Sequence, residues 1–141
     1  MQYTSGQDGD FAFVKTDPGV TLTNTVNFNS TRVRINGRTW EPPVGTLIIR
    51  LGAQNGGNHQ FIRVDQIQIA LPIPGNYTNF SRAYHLIGTR AVGGDSGGAI
   101  IHQTNNGNTH NFAGVFSGDD GTGTFNYYTP ARYMGVFTPY T

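Results

Sequence analysis

The chain has 141 residues, with nine Lys and Arg against eight Asp and Glu, so its formal net charge is +1. That length suits one domain with its own core, and the charge balance, with Lys15 the single lysine, argues against a surface that tracks nucleic-acid phosphates. Cysteine is absent, which excludes disulfides, thiolate metal sites and cysteine catalysis. No run approaches the ~20 apolar residues of a membrane helix, and Met1 to Asp10 has neither the basic region nor the apolar core of a signal peptide.

In chain order, Phe11 to Val14 is a short apolar run after Gly9-Asp10, and Asp17-Pro18-Gly19 is turn chemistry. Thr31 to Ile35 alternates polar and apolar residues, and Asn36-Gly37 then predicts a hairpin. Gly45 to Leu51 is a more continuous apolar strand, followed by a loop over residues 52–58. Phe61 to Val64 and Ile67 to Leu71 read as two paired strands, closed off by Pro72 and Pro74. Residues 75–83 read as a polar loop and Tyr84 to Ile87 as a strand. Ala99 to Ile101 leaves a glycine-rich turn over Gly93 to Gly98, and Asn105 to Asn108 forms another turn. Phe112 to Phe116 and Phe125 to Tyr128 are further strands around a polar loop at 119–123, and Ala131 to Val136 is the one candidate for a short helix. No window of 11–18 residues carries a helical apolar stripe. Short strands separated by turns point to an all-β antiparallel sandwich or barrel.

Gly94-Asp95-Ser96-Gly97-Gly98 carries the chemistry. A serine hydroxyl becomes a nucleophile beside a base, and backbone N–H groups aimed at the developing oxyanion stabilise the transition state. Glycines allow the backbone angles that point two amides into one hollow. Asp95 locks such a turn if it finds a buried cation. The string also satisfies the Gly-x-Ser-x-Gly elbow of α/β-hydrolases, but that elbow needs a helix after it, and Ala99 to His102 reads as a strand. A glycine-rich turn with a bystander serine is the other reading. A carbohydrate-binding sandwich has only Trp40 and scattered tyrosines behind it, and a calcium loop at Asp119-Asp120-Gly121 lacks the ligand spacing.

Gly93 to Ala99 resembles the nucleophile turn of the chymotrypsin-like (trypsin-like) serine proteases. Gly9 to Val14 resembles the strand with the family's catalytic aspartate. Gly114 to Gly118 resembles the strand whose serine bonds that aspartate and whose backbone pairs with substrate. Phe125 to Pro130 resembles the back of the specificity pocket, and Gly45 to Gly52 resembles the bacterial α-lytic protease and streptogrisin branch. The pieces arrive in family order over nearly the whole chain.

The resemblance implies a six-stranded antiparallel Greek-key β-barrel at 31–141, with residues 1–30 as the last strands of an N-terminal barrel. It implies a serine endopeptidase with Ser96 as nucleophile and Asp10 as the orienting aspartate, Asp8 being second choice. Gly94 and Ser96 amides form the oxyanion hole, Ser117 bonds Asp10, and Arg50 neutralises Asp95. The specificity pocket is lined by Arg90, Ala91, Val92, Gly93, Phe116, Gly118, Asp119 and Asn126. Arg90 gives either a cationic pocket floor or a solvent-facing side chain. No cofactor or metal is implied. The partners are a polypeptide substrate and an N-terminal half, with no nucleic acid or membrane, and the family is typically secreted.

One part is missing. The family's histidine base lies upstream of the aspartate, and residues 1–9 contain none. His59, His85, His102 and His110 all follow Asp10. The base is therefore expected from an upstream segment or a separate chain. The competing expectation is an inactive structural or binding module derived from a protease.

Overall fold

The computed structural model describes residues 2–4, 9–13, 15–28, 30–55, 60–75 and 77–134. Two small ladders come first. Strand β1 (Gln2–Thr4) pairs antiparallel with β2 (Phe11–Phe13), and β3 (Thr25–Phe28) pairs antiparallel with β4 (Thr31–Arg34). Asp17 accepts from the Val20 amide at 3.2 Å, closing the turn expected there.

Asn36-Gly37 does not turn a hairpin. The partner of β4 lies before it, because Thr25–Phe28 supplies the matching strand and the reversal falls at Ser30, which takes a φ of 64°. Asn36 instead docks on a neighbour. Its amide donates to the His110 carbonyl and its Oδ1 accepts from the His110 amide, both at 2.8 Å. Gly37 opens a two-residue strand, β5 (Gly37–Arg38), parallel to β10 (Thr109–Asp119).

The main body is a closed barrel. Its strands are β6 (Leu47–Arg50), β7 (Gln60–Ile69), β8 (Phe80–Ile87), β9 (Ala99–Thr104), β10 and β11 (Phe125–Pro130). They run β6-β7-β8-β11-β10-β9 and back to β6, every neighbour antiparallel. The step from β8 to β9 skips two strands, which makes the order a Greek key. Closure leaves these six strands without a free edge.

Period-two alternation explains the core. Ile48, Ile62, Val64, Ala83, Ile100, Ala113, Phe116 and Tyr128 point inward and are buried together. Ile49, Leu51 and Ile101 point outward, where Ile35 and the β3–β4 hairpin residues Val26 and Phe28 cover them. Both faces of β6 are thus buried, so its sequence reads as a continuous apolar run rather than an alternating one. Each fully buried Ile contributes ~1.5–3 kcal/mol.

Several boundaries differ from expectation, β10 among them, since it runs three residues past the expected Phe112–Phe116 at each end. The segments read as two paired strands at 61–64 and 67–71 are one bulged strand, β7. Its register against β8 shifts at three places, two of them flanking the polar break at Asp65-Gln66, and Arg82 of β8 reaches across to hold Asp65. Strand β8 begins at Phe80, inside the stretch read as loop, because buried Phe80 pairs with Ile69. The short helix expected at 131–136 is a 3-10 turn over Ala131–Met134, with 135–136 outside the described residues. A second 3-10 turn, Ala53–Asn55, sits in the loop after β6. No described helix is long and apolar enough to cross a membrane.

Candidate active site

The turn between β8 and β9 is built by consecutive hydrogen bonds. The Asp95 amide donates to Val92 O and the Gly98 amide to Asp95 O, each at 3.1 Å. Two bonds then stitch the turn to β10, Gly97 N to Phe116 O at 2.8 Å and Phe116 N to Gly98 O at 2.9 Å. Gly94 takes a φ of 97°, a conformation that costs a glycine little and other residues much. Among the described residues the N–H groups of Gly94 and Ser96 donate to nothing within the chain. Ser96 is exposed, and its Oγ donates to the Ser117 carbonyl at 2.8 Å.

Asp95 anchors the turn from below. It and Arg50 are both 0% exposed, and Arg50 Nη1 donates to Asp95 Oδ2 at 3.2 Å. Val92 N donates to the same oxygen at 3.1 Å, and Gln54 N to Oδ1 at 3.0 Å. Arg50 Nη2 donates to Thr89 O at 3.1 Å, and its guanidinium stands 4.9 Å from the centre of the Phe116 ring. Burial pulls the Arg50 pKa down, with the Asp95 charge and hydrogen bond opposing it. Gly52 is needed beneath this pair, because a side chain there would enter the space of the Asp95 carboxylate. Neither Gln54 nor Thr89 was marked by the sequence: one contributes its amide and the other its carbonyl, groups every residue has.

Asp10 reaches the same region from the other end of the chain. Its amide donates to Thr129 Oγ1 of β11 at 2.9 Å. Asp10, Phe11 and Ala12 line one wall of a cleft of about 400 Å³, and Ser96, Gly97, Val115 and Phe116 line the rest. Thr129, which ties Asp10 to the barrel, carried no signal in the sequence. The Ser117 hydroxyl is buried and has no hydrogen-bond partner among the described residues, so the expected Ser117–Asp10 bond is not made. The two residues do line a second cleft of about 380 Å³, with Leu71 to Ile73, Gly118 to Asp120 and Tyr127.

The remaining candidates are dispersed around the turn. Ala91 packs on the barrel core, Val92 and Gly93 are exposed, Phe116 is buried, and Gly118 and Asp119 are half-buried. Asn126 is 1% exposed. Arg90 is exposed and donates to Thr122 O at 2.6 Å, so its charge is held on the 120–124 loop and not at a pocket floor. Asp119 and Asp120 cap that loop, accepting from Gly121 N at 3.3 Å and Thr122 N at 3.0 Å. Asp8 and His59 lie outside the described residues.

The three described histidines are engaged elsewhere. His85 Nε2 bonds Gly88 O at 2.9 Å, His102 Nδ1 bonds Thr39 Oγ1 at 3.0 Å, and His110 packs edge-on against Phe28. None is paired with Ser96.

The family model Trypsin matches residues 1–141. Among solved structures, the chain is similar to Cellulomonas bogoriensis chymotrypsin, with 28% identity, a TM-score of 0.72, and coverage of 90% of this chain and 65% of that one. It is also similar to Thermobifida fusca protease A, with 25% identity, a TM-score of 0.64, and coverage of 86% and 63%. A glutamic acid-specific serine protease, described as using a histidine triad in substrate binding, shares the fold at 24% identity and a TM-score of 0.75, with coverage of 99% and 72%. Comparison with curated protein sequences gives no match. The chain thus spans a little under two thirds of the length of the first two structures. With a six-stranded barrel, a Gly-Asp-Ser-Gly-Gly turn at its end and a family match over all 141 residues, the chain belongs to the trypsin family of chymotrypsin-like serine proteases.

Proposed function

We propose that the chain is the C-terminal portion of a serine endopeptidase, with residues 1–30 ending an N-terminal barrel and 31–141 forming the catalytic barrel. The observation that carries this reading is the shared cleft of Asp10 and Ser96. Ser96 Oγ attacks the substrate carbonyl and loses its proton to an imidazole. The tetrahedral oxyanion is held by the Gly94 and Ser96 amides, which are not used within the described chain. Asp10 orients and stabilises the imidazolium, and water then hydrolyses the acyl-enzyme. The buried Asp95–Arg50 pair keeps the two amides pointed at one spot. The imidazole comes from an upstream segment or a separate N-terminal chain, which completes the cleft on the Asp10 side.

One observation favours a second reading, an inactive module descended from a protease: Ser96 Oγ is spent on the Ser117 carbonyl and no described histidine faces it. A fluorophosphonate probe separates the two when the chain is combined with its N-terminal part. Labelling at Ser96, lost in Ser96→Ala, supports the enzyme. A folded pair that stays unlabelled supports the module.

A further inference from the structure

Strands β6, β8 and β10 run toward the end of the barrel that carries the Ser96 turn, and β11 starts there. Past the apolar core, the inward positions at this end turn polar. Arg50 follows Ile48 by two residues on β6, and His85 follows Ala83 by two on β8 and sits opposite Ile62. Asn126 sits opposite Ala83 on one side and Asp119 on the other.

Several of their polar atoms are buried and without a partner among the described residues: both amide atoms of Asn126, Nδ1 of His85 and Nε of Arg50. Leaving such groups unpaired costs about 1–3 kcal/mol each. Natural interiors rarely keep them without a use. Open space adjoins the α-carbon of Gly118, which pairs with Tyr127 one step along the ladder from the Asn126–Asp119 pair.

The donor and acceptor inventory is mixed. His85 Nε2 faces the Gly88 carbonyl and must donate to it, so Nδ1 offers a lone pair. Burial lowers the His85 pKa and keeps that tautomer neutral. Asn126 adds one acceptor and an NH₂, and Arg50 adds one N–H. The Arg50 charge is already matched by Asp95, Arg90 is drawn to Thr122, and Asp119 adds negative charge. A carboxylate would meet acceptors and Asp119, an ammonium would meet donors, and an aromatic ring would leave every polar atom unpaired. A primary carboxamide satisfies both kinds.

We propose that Asn126, in the specificity pocket that the family resemblance implies at this end of the barrel, selects glutamine on the acyl side of the scissile bond. The inference rests on the peptidase reading of Ser96. Its test uses binding and needs no turnover: acetylated tetrapeptides Ala-Ala-Ala-X with a free carboxylate, X being Gln, Glu, Lys or Phe, titrated calorimetrically into the folded 141-residue chain. The Gln peptide should bind at least about tenfold tighter than the other three, since a site built to hydrogen-bond rejects ligands lacking the groups. Asn126→Asp should move the Lys peptide to the top, and His85→Phe should weaken the Gln peptide alone. No binding of the Gln peptide, a flat order, a preference for Phe, or an order unchanged in both folded variants would overturn the assignment. Fluorophosphonate labelling of Ser96 without a glutamine preference refutes only this inference. A glutamine preference in a folded pair that resists labelling refutes only the hydrolase reading.

Discussion

Replacing Arg50 with Met tests the buried pair that shapes the nucleophile turn. Met has nearly the reach of Arg and fills the space under Phe116, so the main change is loss of a charge. Asp95, at 0% exposure, then loses its buried cation and keeps the Val92 and Gln54 amides as donors. Removing one partner of a buried ion pair costs about 3–5 kcal/mol. The two surviving amides place this case near the lower figure, about 3 kcal/mol. With a urea slope of ~1–3 kcal/mol/M, the unfolding midpoint should fall by roughly 1–3 M. Adding Asp95→Leu to Arg50→Met should return most of the loss, because an apolar pair of similar volume is often neutral or better. Urea titration followed by tryptophan fluorescence reads all three proteins. A midpoint shift in Arg50→Met equivalent to less than about 0.5 kcal/mol would refute the assigned role, as would a double variant weaker than the single.

Ser96→Ala should abolish fluorophosphonate labelling while changing stability by no more than ~0.5 kcal/mol, since the side chain is exposed; a large loss of stability would make Ser96 a structural residue. Thr129→Val removes the acceptor for the Asp10 amide, 2.9 Å away. It should cost about 1 kcal/mol and slow labelling of the complete enzyme; unchanged labelling would show that Asp10 needs no such anchor. Burial holds the imidazoles of His85 and His102 below their ordinary pKa of 6.5. As pH falls through 6.5 the unfolded chain takes up protons first, so stability should be full above that value and decline toward pH 5. Urea midpoints at pH 7.5 and 5.5 check the sign, and the combined variant His85→Asn, His102→Gln should show a shallower slope.

Much of the barrel was legible because alternation and turn chemistry are local. The strands from Ala99 and Phe125 begin where apolar runs meet Gly- and Asn-rich turns, whereas β10 extends three residues beyond the apolar run Phe112–Phe116 at each end. What was misread depended on distant partners. Asn36-Gly37 has the composition of a hairpin turn, yet His110 captures it through two hydrogen bonds. Asp65-Gln66 interrupts an apolar pattern without ending the strand, because a bulge and Arg82 absorb the break. The Gly-Asp-Ser-Gly-Gly turn was visible in five consecutive residues. Its supports at Gln54, Thr89 and Thr129 were not, since two of them act through the backbone. Arg90 was ambiguous in the same way, and the Thr122 carbonyl decides where its charge goes.

The central claim is that this chain supplies nucleophile, oxyanion amides and aspartate but not the base. Peptide hydrolysis by the purified 141-residue chain, measured against the same chain joined to the proposed histidine-bearing N-terminal part, tests it most directly. Serine and histidine act as a unit, so the chain alone should be slower by a factor on the order of 10⁵–10⁶. A rate within tenfold of the complete enzyme would contradict the claim.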